Sequence, residues 1–245
     1  MDKKVSKSAS SLYGKNSVLE RLRHDPRTIN EISVTENFDN EEALRLISEN
    51  RISCRTVPQK EFSKMRFALD AQGVIAKIRP FEYVDFDAIV AAVPKKVIIF
   101  LDHLFDPQNL GVIIRTAACF GNFALVIPKH EACEVTESVL HVACGGENFI
   151  SVARVTNLTQ ALETAKKEGY WIVGTIVEGG ESLHDCKLPY PLGIVMGSEG
   201  KGIRQGLRGH IDKAVYIPMS GAKLSLNVAS ATAVICYEAQ KQAEK

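Results

Sequence analysis

The sequence predicts an α/β protein in two parts: a small α/β layer over residues 12–79 and a larger unit over residues 97–245 built on a parallel sheet. Three observations carry this. Residues 97–101, 124–127, 171–174, 192–196 and 214–217 are near-continuous apolar runs, the pattern of strands buried on both faces of a parallel sheet. Segments with helical spacing of apolar residues lie between them, which is the alternation of a doubly wound fold. Three strand-to-helix junctions also bring Gly and polar side chains together, where open α/β sheets hold their ligands.

In chain order, residues 1–11 read as a flexible basic tail. Residues 13–23 read as a helix with Val18, Leu19 and Leu22 on one face, residues 29–34 as a strand, and residues 40–48 as a helix through Ala43, Leu44 and Ile47. A strand over 52–57, a short helix over 58–65 and a third strand over 73–78 complete the small layer. Over residues 80–96 the periodicity weakens. Pro80 and Pro94 bracket Glu82, Asp85 and Asp87 around a short apolar segment, which reads as a linker. Helices are then expected over 111–120, 135–142, 158–168, 203–207 and 226–242, between or after the buried strands.

At 245 residues and 45% apolar composition the chain can bury substantial cores. No apolar run approaches the roughly 20 residues that span a bilayer, and residues 1–11 lack a signal-peptide core, so a cytoplasmic protein without membrane contact is expected. Cys54, Cys119, Cys133, Cys144, Cys186 and Cys236 form no Cys-x-x-Cys pair and read as reduced, buried thiols. The six histidines show no metal-ligand spacing, and no metal site is expected. A formal net charge of +1 gives no argument for a polyanion partner. Locally, Lys3, Lys4, Lys7, Lys15, Arg21, Arg23 and Arg27 make a basic edge, followed by an acidic stretch over 31–49. Solvated helix faces explain that pattern as well as a nucleic-acid patch does.

The first junction is Asp106-Pro107-Gln108-Asn109-Leu110-Gly111, leading to Arg115-Thr116. Arg115 is a permanently charged fork suited to phosphate or a developing oxyanion, or else to a salt bridge with a neighbouring helix. Asn109 can face a ligand or cap the helix. The second junction, Gly197-Ser198-Glu199-Gly200-Lys201-Gly202, lacks the phosphate-loop register, and no junction has Gly-x-Gly-x-x-Gly. That argues against nucleotide hydrolases and dinucleotide oxidoreductases. Glu199 suits a cationic or hydroxyl-bearing partner, and the glycines allow close backbone approach to a flat ligand; a tight turn with an exposed Glu is the alternative. The third junction sets Ser225 and Asn227 beside Ile217, Met219 and Leu226. That mix fits an adenine-like ring, while Ser225 or Asn227 can equally be the cap of a core helix.

Taken together and in order, these segments resemble the three motifs of the SpoU (TrmH) family of RNA ribose 2′-O-methyltransferases. They run from Asp106 to Gly111 with Arg115-Thr116-Ala117, through Met196 to Gly202, to Ile217 to Gly221 with Ser225-Leu226-Asn227-Val228. Residues 171–175 are similar to that family's central strand, and residues 12–79 more loosely resemble the L30-like substrate-binding domain of its rRNA-directed branch. The resemblance implies a parallel α/β sheet with a C-terminal trefoil knot, a homodimer, and S-adenosylmethionine as cofactor. It implies cofactor contacts at Thr175, Gly197, Ile217, Met219 and Leu226, and catalytic or substrate-orienting roles for Asn109, Arg115, Glu199, Ser225 and Asn227. The implied reaction is 2′-O-methylation of a ribose, at a guanosine of 23S rRNA. A tRNA substrate and a non-catalytic RNA-binding ribosome assembly factor are the alternatives. The chain departs from the family's habits at Val112, Leu224 and Ala229.

Overall fold

The computed structural model describes residues 10–198, 200–222 and 224–243. The expected basic tail lies outside them except for Ser10 and Ser11, as do Glu199 and Lys223.

The chain begins with β1 (Ser10–Tyr13), α1 (Lys15–His24), β2 (Ile29–Thr35), α2 (Glu41–Glu49), β3 (Ser53–Val57), α3 (Gln59–Phe62) and β4 (Val74–Ile78). They form a four-stranded sheet in the order β1-β4-β2-β3, with β2 and β3 parallel and the other pairs antiparallel. Helix α2 shows why the local sequence folds as it does. Asn40 caps it by accepting from the Ala43 amide at 2.8 Å, and Glu41 and Glu42 sit at the positive end of its dipole. Ala43 and Ile47 then turn inward to join Leu12, Val18, Leu22 and Ile32 in one core.

The second part comprises α4 (Phe86–Ala91), β5 (Val97–Leu101), α5 (Pro107–Phe120), β6 (Phe123–Pro128), α6 (Glu137–Ala143), β7 (Ser151–Val155) and α7 (Leu158–Lys167). It continues with β8 (Trp171–Thr175), β9 (Glu181–Ser182), β10 (Leu192–Met196), α8 (Gln205–Arg208), β11 (Lys213–Tyr216) and α9 (Val228–Ala243). Its seven strands run in the order β7-β6-β5-β10-β8-β11-β9, with every pairing parallel. One face is covered by a core that includes Leu110, Ile113 and Ile114 of α5, Val139 of α6 and Ile235 of α9. The other is covered by a core that includes Phe86 and Ile89 of α4, Leu162 of α7 and Leu207 of α8. This two-sided burial is what the continuous apolar runs require.

Four elements differ from the sequence expectation, one of them β9, a two-residue strand too short for any periodicity. β1 takes up Ser10 and Ser11, which read as tail, because only Leu12 and Tyr13 of its four residues are buried and two residues are too few for periodicity to register. β7 is an edge strand with Ser151 and Arg154 partly exposed, so it never shows a continuous apolar run. The stretch taken as a linker holds α4: Phe86, Ile89 and Val90 are buried, while the acidic Glu82, Asp85 and Asp87 that gave it a linker's composition face outward. Among the cysteines, Cys186 and Cys236 are buried, and burial pushes the Cys236 thiol up to about 12. Cys54 and Cys119 are instead exposed, because apolar neighbours in sequence do not decide which face of a helix or edge strand a residue takes.

The two sheets are joined by polar contacts from the start of the chain to α6 and the turn after it. The Ser11 amide donates to Glu137 Oε1 at 2.6 Å, and the Tyr13 ring stacks on His141 with centroids 4.3 Å apart. Arg21 donates through Nη2 to Glu147 Oε1 at 3.0 Å, both side chains being buried. Three residues of the basic edge seen in sequence are paired locally, Lys15 with Asp39, Arg21 with Glu147 and Arg23 with Glu20 and Glu42.

Burial raises the Glu147 carboxyl above its ordinary range, and the Arg21 charge opposes the shift without cancelling it. The folded state therefore keeps a proton that the unfolded chain releases near pH ~4.3, and the stability contributed by Glu147 falls as pH rises from there through the raised folded value. Urea midpoints measured across this interval are expected to fall less steeply in Glu147→Gln than in the wild type. Parallel pH profiles would contradict the assignment.

Candidate functional site

A cavity of about 250 Å³ opens at the carboxyl ends of β8, β10 and β11. Thr175 comes from the end of β8, Gly197 from the residue after β10, and Ile217, Met219, Ser225 and Leu226 from the segment between β11 and α9; all six line this one cavity. The five residues expected at a cofactor therefore lie together, with Ser225 among them. Met219, Ser225 and Leu226 are also exposed to solvent.

The loop after β10 folds tightly on itself. The Ser198 amide donates to Gly202 O at 3.2 Å and the Gly202 amide returns to Ser198 O at 2.9 Å. A Cβ on Gly197 would stand 2.3 Å from Gly202 C and 2.4 Å from Ile203 N. Both are backbone atoms, so no side chain fits there without moving the loop. Thr175 closes the neighbouring wall by donating its hydroxyl to Val195 O at 3.1 Å. A rim of glycine backbone facing Ile217, Met219 and Leu226 suits a planar heteroaromatic ring held by apolar contact and main-chain groups.

Beside the cavity, Asn227 Nδ2 donates to Asn109 Oδ1 at 2.9 Å. Asn227 Oδ1 accepts from the Ala229 amide at 2.8 Å and the Ser230 amide at 3.4 Å. These amide donors fix the orientation of the Asn227 side chain, because its oxygen must face the helix and its nitrogen must then face away. Asn227 is thus the cap of α9 and a bridge to α5 at once, so the two readings open in sequence are not exclusive. Asn109 is not the cap of α5. Asp106 takes that place, accepting from the Gln108 amide at 2.9 Å, and leaves Asn109 buried in the first turn.

Arg115 does not join the cavity. Six residues beyond Asn109, it is turned by about 240° around α5 and stands exposed, with Nη1 3.5 Å from Cys144 Sγ. Among the described residues it makes no salt bridge. Glu199 lies outside the described residues. Of the three departures from the family pattern, Val112 and Leu224 are exposed, whereas Ala229 is buried against the core. Sequence reasoning missed Asp102 and Arg204, which pair beneath the Gly197 loop at 2.7 Å. The signal available was an Asp directly after a fully apolar strand, too common a feature to single out.

Among the described residues, no group of three or more His, Cys, Asp or Glu is arranged to hold a metal ion, and no helix is long and apolar enough to cross a membrane.

The chain is similar to known proteins in sequence and in fold. The SpoU rRNA Methylase family matches residues 96–237, and the RNA 2′-O ribose methyltransferase substrate-binding family matches residues 11–84. A protein of Staphylococcus saprophyticus assigned to the TrmH family of tRNA/rRNA methyltransferases is 37% identical over 234 residues, covering 93% of each chain. The 23S rRNA (guanosine-2′-O-)-methyltransferase RlmB of Photobacterium profundum is 33% identical over 241 residues, covering 96% of this chain and 98% of that one. In fold, the chain is similar to the SpoU methyltransferase AviRb from Streptomyces viridochromogenes, solved in complex with AdoMet. The TM-score is 0.81 at 22% identity, over 97% of this chain and 91% of that one.

The crowding around Gly197 has a direct consequence for stability. Gly197→Ala is expected to lower unfolding free energy by about 1–3 kcal/mol, as overpacking does. Gly206→Ala, where nothing lies within 4 Å of the added carbon, is expected to stay within about 0.5 kcal/mol. Urea denaturation of the two variants checks the contrast.

Proposed function

The chain belongs to the SpoU rRNA methylase family, and from that premise we propose that it uses S-adenosylmethionine to methylate the 2′-hydroxyl of a guanosine ribose in 23S rRNA. The observation that carries this reading is the convergence of Thr175, Gly197, Ile217, Met219 and Leu226 on one cavity, next to the Asn109–Asn227 pair. S-adenosylmethionine supplies the electrophilic sulfonium methyl. Ile217, Met219 and Leu226 would hold its adenosine by apolar contact, with the Gly197 loop and Thr175 supplying main-chain and hydroxyl groups beside it.

A ribose hydroxyl is a poor nucleophile, so it must be held in line with the methyl and its emerging negative charge stabilised. Asn109 and Asn227, with Ser225 and Glu199, orient the ribose. Arg115 binds phosphate and stabilises alkoxide character from the RNA side, which agrees with its exposed guanidinium outside the cavity. A guanidinium holds its proton throughout and is a reluctant base, so the proton passes to phosphate or water.

The same proposal includes a division of labour, with residues 12–79 gripping RNA, residues 80–96 as connection and residues 97–245 as the methyltransferase unit. The family matches support that division. It also includes a trefoil knot in the C-terminal segment, supported by the packing of α9 and α5 in one core after the two loops that share the cavity. A cytoplasmic homodimer completes it. Val112 on α5 and Val234 and Tyr237 on α9, exposed on adjacent helices, support the pairing with a second copy.

Calorimetry with S-adenosylmethionine, followed by transfer of labelled methyl to 23S rRNA and to tRNA, tests this reading. Binding and transfer to 23S rRNA at a 2′-oxygen are expected; no binding, or preferential transfer to tRNA, would contradict it. Arg115→Lys is expected to lower turnover by roughly 10²-fold while S-adenosylmethionine affinity stays within about twofold. Near-normal turnover with unchanged RNA affinity would remove the guanidinium from the mechanism.

A further inference from the structure

Asp102 directly follows β5, and its side chain is wholly enclosed, with 0% exposure. Its amide and both carboxylate oxygens are committed to the segment around the Gly197 loop or to the residue beside it. Its amide donates to Met196 O, at the end of β10, at 2.9 Å. Oδ2 accepts from the Arg204 amide at 2.9 Å and Oδ1 from Arg204 Nε at 2.7 Å. The His103 ring lies with Nδ1 3.0 Å from Oδ1 and Nε2 2.9 Å from Glu131 Oε2. His103 holds a φ of 57°, a region that non-glycine residues seldom occupy, and this bend accompanies the ring's contact with Asp102.

A buried carboxylate persists where partners replace its water. The partners of the carboxylate are the Arg204 amide and guanidinium, with the His103 ring beside them, while the Asp102 main-chain amide holds Met196 O; the residue thus reaches both ends of a single loop, Met196 before it and Arg204 after it. Between them, Gly197, Gly200 and Gly202 line the cavity. Its three glycines leave the loop few side chains to pack and much backbone freedom to lose, so beyond the Ser198–Gly202 bonds and the buried Ile203 its shape depends on what fastens its ends.

We propose that Asp102 is a positioning residue for the methyl-transfer reaction: by clasping Met196 and Arg204 it presets the Gly197 loop for the cofactor. This rests on the reading that the cavity takes S-adenosylmethionine. Preorganisation of this kind acts on affinity, because the ordering is already complete before the ligand arrives.

Asp102→Asn replaces one acceptor oxygen with a donor, so the Arg204 amide and guanidinium can no longer both be satisfied. Arg204→Gln removes the guanidinium from a side chain that is 46% exposed, a change that does not threaten the fold. Three readouts are compared for the wild type, both single variants and the double variant: S-adenosylmethionine Kd by calorimetry, kcat and KM, and amide hydrogen exchange over residues 197–204. Asp102→Asn is expected to raise Kd and KM for S-adenosylmethionine roughly tenfold and to speed exchange in the loop, with kcat at saturation and RNA affinity close to wild type. Arg204→Gln is expected to move the same quantities in the same direction, and the double variant to do no worse than Asp102→Asn. Exchange unchanged in Arg204→Gln and in Asp102→Asn where it folds, or cofactor and RNA affinities falling together, would overturn the proposal. A wild type that binds no S-adenosylmethionine would overturn the cofactor reading instead, and loop exchange would still decide whether Asp102 is the clasp.

Discussion

The parallel pairing of β5 with β10 is the constraint on which the rest of the structure depends. Its register sets Leu101 opposite Met196, so the two strands end level and the chain leaves both at the same edge of the sheet. The order β6-β5-β10-β8 makes this the point where successive connections diverge, with α5 covering one face and α8 the other. A crevice outside such a point follows from the topology. The next pairings, of β8 with β10 and with β11, bring Thr175 and the segment after β11 to that edge. A one-residue slip between β5 and β10 would turn every inward side chain to the other face.

The crevice is then tightened by polar groups that serve folding and site together. Asn227 starts α9 by accepting from two helix amides and ties it to α5 through Asn109. The last helix is thereby tied to the first junction by side-chain amides as well as by the core that α5 and α9 share. At the far end of the chain, α1 meets the turn after α6 through the Arg21–Glu147 pair. A buried pair of this kind is costly to desolvate and fixes relative placement more than it adds stability. The small sheet is in this way held against the larger one by directional contacts rather than by a shared core alone.

Much of this was legible in the amino-acid order for a physical reason. Strands buried on both faces carry apolar residues without interruption, so β5, β6, β8, β10 and β11 could be read directly. β1, β7, β9 and α4 could not, because β1 and β9 are short, β7 lies at an edge, and half of α4 faces water beside acidic residues. At the site, the ordered motifs drew attention to the residues that line the cavity. The six-residue spacing from Asn109 turns Arg115 to another face of α5, and the capping of α5 by Asp106 leaves Asn109 as the partner of Asn227. The partnership of Asp102 with Arg204 joins residues 102 apart in sequence, a separation at which no local pattern could have paired them.

The central claim is that the three strand-to-helix junctions make one site for ribose methylation of ribosomal RNA. Mapping 2′-O-methylation across rRNA and tRNA in cells with and without this gene tests it most directly. The account requires one guanosine of 23S rRNA to lose its methyl on deletion, to regain it with the wild-type chain, and not to regain it with Asn109→Ala. An unchanged methylation map, or restoration by Asn109→Ala equal to wild type, would contradict it.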